Sequence, residues 1–311
     1  MDIGEKSNLI KSWAKDLGFM LCGFSKAQSL NDEGDRLKIW LDRGYHGDMI
    51  YMTNHFDMRT DPTLLLPGAK SVISLAYNYF HTDKPIDPKS PKIAMYAYGK
   101  DYHKVVRKKL YELLSKINLE FSNVNGRVFV DSAPILERDW AKYSGLGWIG
   151  KNTLLIHPKK GSYFFLAEII IDVELIYDSA LTDHCGTCTR CIDACPTQAI
   201  AQDGYYMDGS KCISYLTIEL KDEDIPAAFI GKMDNWMFGC DICQHVCPWN
   251  RFSTDHDEAQ FKPKDDLLTM SHHDWKNLSE TDFNDLFEGS AIKRTKYSGL
   301  KRNIAFLDKK E

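Results

Sequence analysis

The chain has 311 residues, 43% of them hydrophobic, 12% aromatic and 27% charged, with 39 Lys and Arg against 44 Asp and Glu for a net charge of −5. A length of this order suggests about two domains, and the composition excludes extended disorder. The acidic balance excludes a surface coated in basic charge for nucleic acid but leaves room for a local basic patch. No stretch approaches the ~20 apolar residues of a membrane span and the N-terminus lacks a signal-peptide core, which predicts a cytosolic protein.

Residues 7–17 place Leu9, Ile10, Trp13 and Leu17 on one helical face before Gly18, and residues 35–43, with Leu37, Trp40 and Leu41, predict a second helix ended by Gly44. Residues 71–77 read as a strand and 93–98 as a second, short one. A helical period through Val105, Val106, Leu110, Leu113, Leu114 and Ile117 predicts a long amphipathic helix over 102–118. Residues 127–130 form a strand ending on Asp131. Ser132 then reads as the N-cap of a helix through Tyr143, with Pro134 in its first turn. Past a glycine-rich run at 145–152 come two apolar strands, 153–156 and 163–171. Strands alternating with helices argue for an α/β (α+β) domain over 1–178. A cysteine-rich domain follows over 179–252, and a helical tail over 253–311.

Of nine cysteines only Cys22 precedes residue 185, and its apolar neighbours make it a small buried hydrophobe. The other eight fall within 185–247, which in a reducing compartment reads as metal binding before disulfides. Cys185, Cys188, Cys191 and Cys195, followed by Pro196, reproduce the C-x2-C-x2-C-x3-C-P run of two-cluster bacterial ferredoxins. Short spacers wrap three thiolates around one iron–sulfur cube, and the cysteine before proline reaches a second. Cys212, Cys240, Cys243 and Cys247 before Pro248 repeat the pattern, with the first cysteine displaced by a long insertion. The crossover rule groups Cys185, Cys188, Cys191 and Cys247 on one 4Fe–4S cluster, and Cys212, Cys240, Cys243 and Cys195 on the other. Zinc is the competing reading of C-x2-C pairs, but a zinc ribbon uses two knuckles of two ligands. Two cubes in one compact module favour electron relay over structural bracing.

The glycine-rich run holds no G-x-G-x-x-G after a strand, so a dinucleotide site is weakly supported. It suits a tight helix–strand connection as well as a large planar or phosphate-bearing ligand. Before residue 185 no Cys, His and carboxylate residues cluster at metal spacing, so a metal in the front domain would arrive inside an organic cofactor.

These residues together resemble the epoxyqueuosine reductases. The resemblance rests on residues 130–138, on 145–153, and on the first cysteine run with its Pro196, Thr197, Ala199 and Ile200. It continues through 212–219 and 239–250, and spans nearly the whole chain. It implies a cobalamin-dependent enzyme, related in fold to reductive dehalogenases. Such an enzyme reduces the epoxide of epoxyqueuosine at the tRNA wobble position to the alkene of queuosine, the final step of queuosine biosynthesis. The cobalamin would be base-off, with no protein ligand in place of its lower base, and the Cys185 set would be the cluster nearer to it. Asp131 matches the family's proton donor to the departing oxygen, and burial against the corrin would raise its pKa. Without the resemblance, Asp131 reads as a helix cap.

Arg59 resembles the family's cobalamin-contacting arginine. Tyr96, Asp131, Gly150, Lys151, Asn152, Ser214, Asp241 and Gln244 are further candidate cofactor contacts, with Tyr98 and His103 beside the substrate pocket. Some members carry a longer C-terminus of helical repeats; if that extension helps to hold tRNA, affinity here is lower or rests on other surfaces. Residues 293–311 carry seven basic and two acidic side chains, and Lys293, Arg294, Lys296, Lys301 and Arg302 are candidate phosphate contacts, against the reading of a solvated helix face. The expected partners are tRNA bearing epoxyqueuosine and an external electron donor, with the chain a monomer away from membranes. Two other readings stay open from sequence. One is a different cobalamin/iron–sulfur reductase such as a dehalogenase, typically exported with a twin-arginine signal that is not seen here. The other is a ferredoxin-like carrier without catalysis of its own, which leaves the front domain without a role.

Overall fold

The computed structural model describes residues 1–309; residues 310 and 311 of the predicted tail lie outside the described residues. Helix α1 (Ile3–Asp16) opens on a reciprocal cap, Asp2 Oδ1 accepting from Glu5 N at 2.8 Å and Glu5 Oε2 from Asp2 N at 2.9 Å. Strand β1 (Leu21–Lys26) follows and carries Cys22 against the core, where burial pushes its thiol up to about 12. Helices α2 (Asn31–Asp42) and α3 (Phe56–Thr60) then lead to strand β2 (Ser71–Asn78). Strand β3 is only Lys92–Ile93 and gives way to a single 3-10 turn at Met95–Ala97, so the short strand expected over 93–98 ends early.

The periodic helix is present as α4 (Tyr102–Phe121), followed by strand β4 (Gly126–Phe129). The helix expected from Ser132 starts late, as α5 (Glu137–Tyr143), and residues 131–136 form a loop. Pro134 disfavours helical backbone at Ala133, and Asp131 itself is left-handed, with φ 55°. A small hairpin pairs β5 (Trp148–Ile149) with β6 (Leu155–Ile156) before the long strand β7 (Phe164–Ile171).

The main sheet has the order β1-β2-β7-β4, and every pairing in it is antiparallel. The α/β half of the expected fold is thereby corrected: the front domain is α+β, because its helices cover an antiparallel sheet instead of crossing between parallel neighbours. Strand β7 runs through the middle with side chains alternating between faces. Ile169 and Ile171 meet Val106, Leu110 and Ile117 of α4, while Ile170 meets Trp140 of α5.

Past residue 180 the elements shorten to α6 (Arg190–Asp193), α7 (Ile213–Ile218), β8 (Trp236–Phe238) and α8 (Ile242–His245). Strand β8 pairs in parallel with β3. The tail helices α9 (Asp265–Thr269), α10 (His272–Asn277), α11 (Glu280–Leu286) and α12 (Lys296–Leu307) share a core with earlier segments. Trp275, Phe283, Phe287, Leu300 and Ile304 pack with Ile93, Ala97, Tyr98, Met237 and Phe238. Among the described residues no helix is long and apolar enough to cross a membrane.

Candidate functional site

All nine cysteines are free thiols. Cys185, Cys188, Cys191 and Cys247 line one cavity, capped by Pro248 and Trp249. Cys195, Cys212, Cys240 and Cys243 form the second set: charge on Cys195 is felt at Cys212 and Cys240, and charge on Cys212 and Cys240 at Cys243. Among the described residues no three Cys, His, Asp or Glu side chains converge as a lone ion requires. Thiols that surround a space instead of a point suit a cube-sized group better than a zinc tetrahedron.

The glycine-rich run fastens the front domain to these loops. Lys151 Nζ donates to Gly186 O at 2.7 Å and Cys188 O at 3.1 Å, and Asn152 Nδ2 to Cys243 O at 3.4 Å. A Cβ on Gly147 would lie 2.3 Å from the backbone oxygen of Ile156, so glycine there lets the β5–β6 hairpin close. Trp148 Nε1 donates to Cys185 Sγ at 3.5 Å.

The two thiol sets differ in depth. Gly186, Thr187, Thr189 and Arg190 around the first are exposed, whereas Asp241 and Gln244 beside Cys240 and Cys243 are 3% and 6% exposed. Asp241 Oδ2 accepts from Met95 N at 2.7 Å, and burial pushes its carboxyl up to about 7. Gln244 Nε2 donates to Tyr79 Oη at 3.3 Å and to Ser162 O at 3.1 Å. Gln244 thereby reaches a second cavity, of about 290 Å³, lined by Tyr79, Tyr96, Tyr102, Phe165, Asp131 and Glu137 among others. Of the two thiol sets, the Cys243 set is the one with a direct chain neighbour, Gln244, in the lining of this cavity. The resemblance implies that the Cys185 set lies nearer the cobalamin, whereas the residue by which the cysteine loops reach this cavity, Gln244, adjoins Cys243 of the other set.

Asp131 Oδ2 accepts from Tyr102 Oη and pairs with His103 Nε2, both at 2.8 Å, while His103 Nδ1 meets Asp101 Oδ1 at 2.7 Å. Tyr102 is held for this by stacking on Phe165, ring centroids 4.1 Å apart. Burial pushes the Asp131 carboxyl up, but hydrogen bonds from His103 and Tyr102 and the charges of His103 and Arg294 outweigh it and leave it below the ordinary carboxylate value. Burial pulls His103 down, and its bonds to Asp101 and Asp131 override that and lift it to about 9. The expected rise of the Asp131 pKa is therefore corrected: in this pair the proton rests on the imidazole.

A second acidic pair sits behind the loop. Glu137 Oε1 accepts from Asp131 N. Burial, and then the charge of Asp131, push Glu137 up to about 8. Glu168, wholly buried on the α5 side of β7, is raised well above its ordinary value by burial and by Glu137. Two carboxylates cannot hydrogen-bond each other, and both Glu168 oxygens lack a partner unless a proton lies between them and Glu137. The signal in the sequence is one acid inside an otherwise apolar strand, a residue type seldom buried without a partner.

Other candidates lie elsewhere. Arg59 is buried and donates to Tyr51 O at 2.6 Å and Asn54 O at 3.2 Å, holding a turn instead of lining the Asp131 cavity. In the tail, Arg294 pairs with Glu219 at 2.8 Å and lies over the Tyr51 ring, facing the Asp131 side of the molecule. Arg302 donates to the carbonyls of Leu216 at 3.0 Å, Leu220 at 3.0 Å and Asp222 at 2.7 Å. Its reading as a phosphate contact is corrected, because its guanidinium is committed within the fold. Lys301 Nζ donates to Lys276 O at 2.5 Å, while Lys293 and Lys296 are exposed.

The residues present fit both implied groups. There are eight thiols in two sets of four, and beside them a cavity with aromatic walls and rim hydroxyl and amide groups but, among the described residues, no protein ligand set for a metal. The family model described as "Epoxyqueuosine reductase QueG, DUF1730" matches residues 59–132, and that described as "4Fe-4S double cluster binding domain" matches 184–250. The chain is 56% identical to an epoxyqueuosine reductase of Cellulophaga algicola, over 99% of this chain and 100% of that protein. It superposes with a TM-score of 0.91, at 29% identity, on an epoxyqueuosine reductase crystallised with an epoxyqueuosine-modified tRNA-Tyr stem loop, covering 98% of this chain and 81% of that one. A catabolic reductive dehalogenase shares the fold more distantly, with a TM-score of 0.51 at 14% identity over 97% of this chain and 38% of that one. On the first of these likenesses, near-complete in both directions, the chain belongs to the epoxyqueuosine reductase family.

Proposed function

We propose that this chain reduces the epoxide of epoxyqueuosine in tRNA to the alkene of queuosine, using cobalamin and two 4Fe–4S clusters. The reaction takes two electrons and two protons and releases the epoxide oxygen as water. Bound cobalamin supplies a cobalt centre that delivers electrons to the substrate, and the clusters supply those electrons singly.

The chain's own residues hold the rest. Cys185, Cys188, Cys191 and Cys247 hold one cluster, and Cys195, Cys212, Cys240 and Cys243 the other. Tyr96 and Gln244 border the corrin, while Lys151, Asn152, Ser214 and Asp241 act through the cysteine loops. Asp131 directs a proton to the leaving oxygen, and His103, which keeps that proton at neutral pH, supplies it through the shared Oδ2 contact. Lys293, Arg294 and Lys296 meet tRNA phosphates.

The observation that carries this reading is one shared cavity. The loop bearing Cys243 enters it through Gln244, and Asp131 enters it from the opposite domain. The test is anaerobic reconstitution with cobalamin and a chemical reductant, then mass analysis of nucleosides from epoxyqueuosine-containing tRNA. Loss of one oxygen from the modified nucleoside is expected. Unchanged nucleoside from protein carrying about eight irons and bound corrinoid would refute the reading.

A further inference from the structure

The difference in depth between the two thiol sets gives electron flow a direction. Beside the Cys243 set, Asp241 and Gln244 are buried and Gln244 reaches the Asp131 cavity, while the loop around the Cys185 set is exposed at residues 186, 187, 189 and 190. The exposed loop makes the Cys185 set the more accessible entry for electrons.

The surface there has a distinct chemistry. Arg190 and Arg251 border the thiol-lined cavity, and the neighbouring turn adds Lys159 and Lys160. That turn is tied to the same surface, Asn250 Oδ1 accepting from Ser162 N at 2.7 Å and Ser253 Oγ donating to Lys160 O at 3.4 Å. Among the described residues none of these four cations lies within ion-pair distance of a carboxylate. The carboxylates nearby are engaged: Asp183 accepts from Cys185 N and Tyr205 Oη, and Asp193 from Thr189 Oγ1. Their field is legible at His157, which burial and then Lys160 and Lys159 pull down to about 4. Within this rim is an exposed aromatic spot, Phe252 at 38% exposure with the Arg251 guanidinium 4.4 Å from its ring centroid. On an acidic chain, unpaired cations around an apolar spot beside a shallow redox site suit a weak, charge-steered encounter.

We propose that this face docks a small acidic ferredoxin as electron donor, the cations meeting its carboxylates and Phe252 its apolar edge. The proposal rests on the functional reading above. In each encounter one electron leaves the reduced ferredoxin, which is oxidised, and enters the 4Fe–4S group on the Cys185 set, which is reduced. Two encounters and two protons from water balance each epoxide reduced and each water released.

The test uses the holoprotein and the double variant Lys159→Glu, Arg190→Glu. Titration calorimetry with an oxidised acidic plant-type ferredoxin at low salt should show at least tenfold weaker binding to the variant. In the wild type the affinity should fall steeply with salt. Stopped-flow bleaching of the clusters by reduced ferredoxin should slow in parallel. Reduction by dithionite, iron content and affinity for tRNA should stay at wild-type values. Equal ferredoxin binding by the two proteins, or none by the wild type, would overturn the proposal. So would a loss of tRNA affinity with ferredoxin binding intact, which would give the face to RNA. Dithionite-driven turnover reports on the functional reading separately, since it bypasses the docking face.

Discussion

Glu137→Gln isolates what the carboxyl pair behind the Asp131 loop does. Glutamine keeps an oxygen to accept from Asp131 N and offers an N–H to Glu168, so the contacts survive while one titratable proton is removed. Glu137, ordinarily near 4.5, is lifted to about 8 in the folded chain. A carboxyl raised in this way binds its proton more tightly when folded, so it weakens the fold progressively as pH climbs from the ordinary value to the raised one. At about 1.4 kcal/mol per pH unit, the interval from pH 5.5 to 8.0 corresponds to at most ~3 kcal/mol, distributed over both members of the pair. Thermal unfolding of anaerobic holoprotein at those two pH values should show the wild-type midpoint falling several degrees more than that of Glu137→Gln. Glu137→Ala removes both contacts, strands the Glu168 carboxyl in the core and should cost about 1–3 kcal/mol at either pH, with loss of turnover as the loop loosens. Parallel pH dependence in wild type and Glu137→Gln, or an alanine variant as active as the glutamine one, would refute a proton held between the two acids.

Four other outcomes follow from the same geometry. Asp131→Asn should lower turnover by about 10²–10⁴-fold with clusters and corrinoid retained, as mass analysis of tRNA nucleosides would show. The His103 imidazolium is present below its raised value of about 9 and is lost as pH climbs through it, so turnover should fall on that alkaline limb and His103→Gln should flatten it. Alanine at Lys293, Arg294 and Lys296 should weaken tRNA binding and reduce its salt slope by roughly one for each phosphate left without its cation. Arg302→Ala should leave that slope alone and instead destabilise the chain by about 1–3 kcal/mol, because three backbone carbonyls lose their donor.

Much of the fold is legible in local pattern. The apolar runs of β2 and β7 and the period of α4 read directly, because each buries a regular face in one core. Strand β1 does not read: Gly23 and Ser25 interrupt it, and its glycine is required because a Cβ there would lie 1.9 Å from Ser144 O. Strand direction is illegible for a different reason: alternating helices and strands fit either parallel or antiparallel neighbours until the pairings are seen. At the site, cysteine spacing carries its own geometry, since short spacers permit few arrangements of thiolates. The proton chemistry does not, because the low pKa of Asp131 depends on Tyr102 and His103, contributed by a helix 29 and 28 residues away in sequence. Arg302 misleads for a related reason: basic charge in a tail looks like phosphate binding until the carbonyls it serves are in view.

The depth of the second thiol set has a cause in the insertion between Cys212 and Cys240. A plain repeat of the first run would keep all four cysteines on one shallow loop. Here the insertion folds into α7 and β8, and β8 pairs with β3 just before Tyr96, which carries the loop from Cys240 to Gln244 into the core. The join is closed by polar contacts: Thr217 Oγ1 accepts from Gly239 N at 3.0 Å, and Asn303 Nδ2 of α12 donates to Thr217 O at 2.8 Å and Met237 O at 2.9 Å. Asn303 is 1% exposed, so these bonds form where water cannot replace them. The tail thus acts first as the lock on the insertion. Any contribution it makes to tRNA falls to the exposed residues outside that lock, Lys293, Arg294 and Lys296, so one segment serves cofactor depth through its buried side chains and RNA contact through its exposed ones.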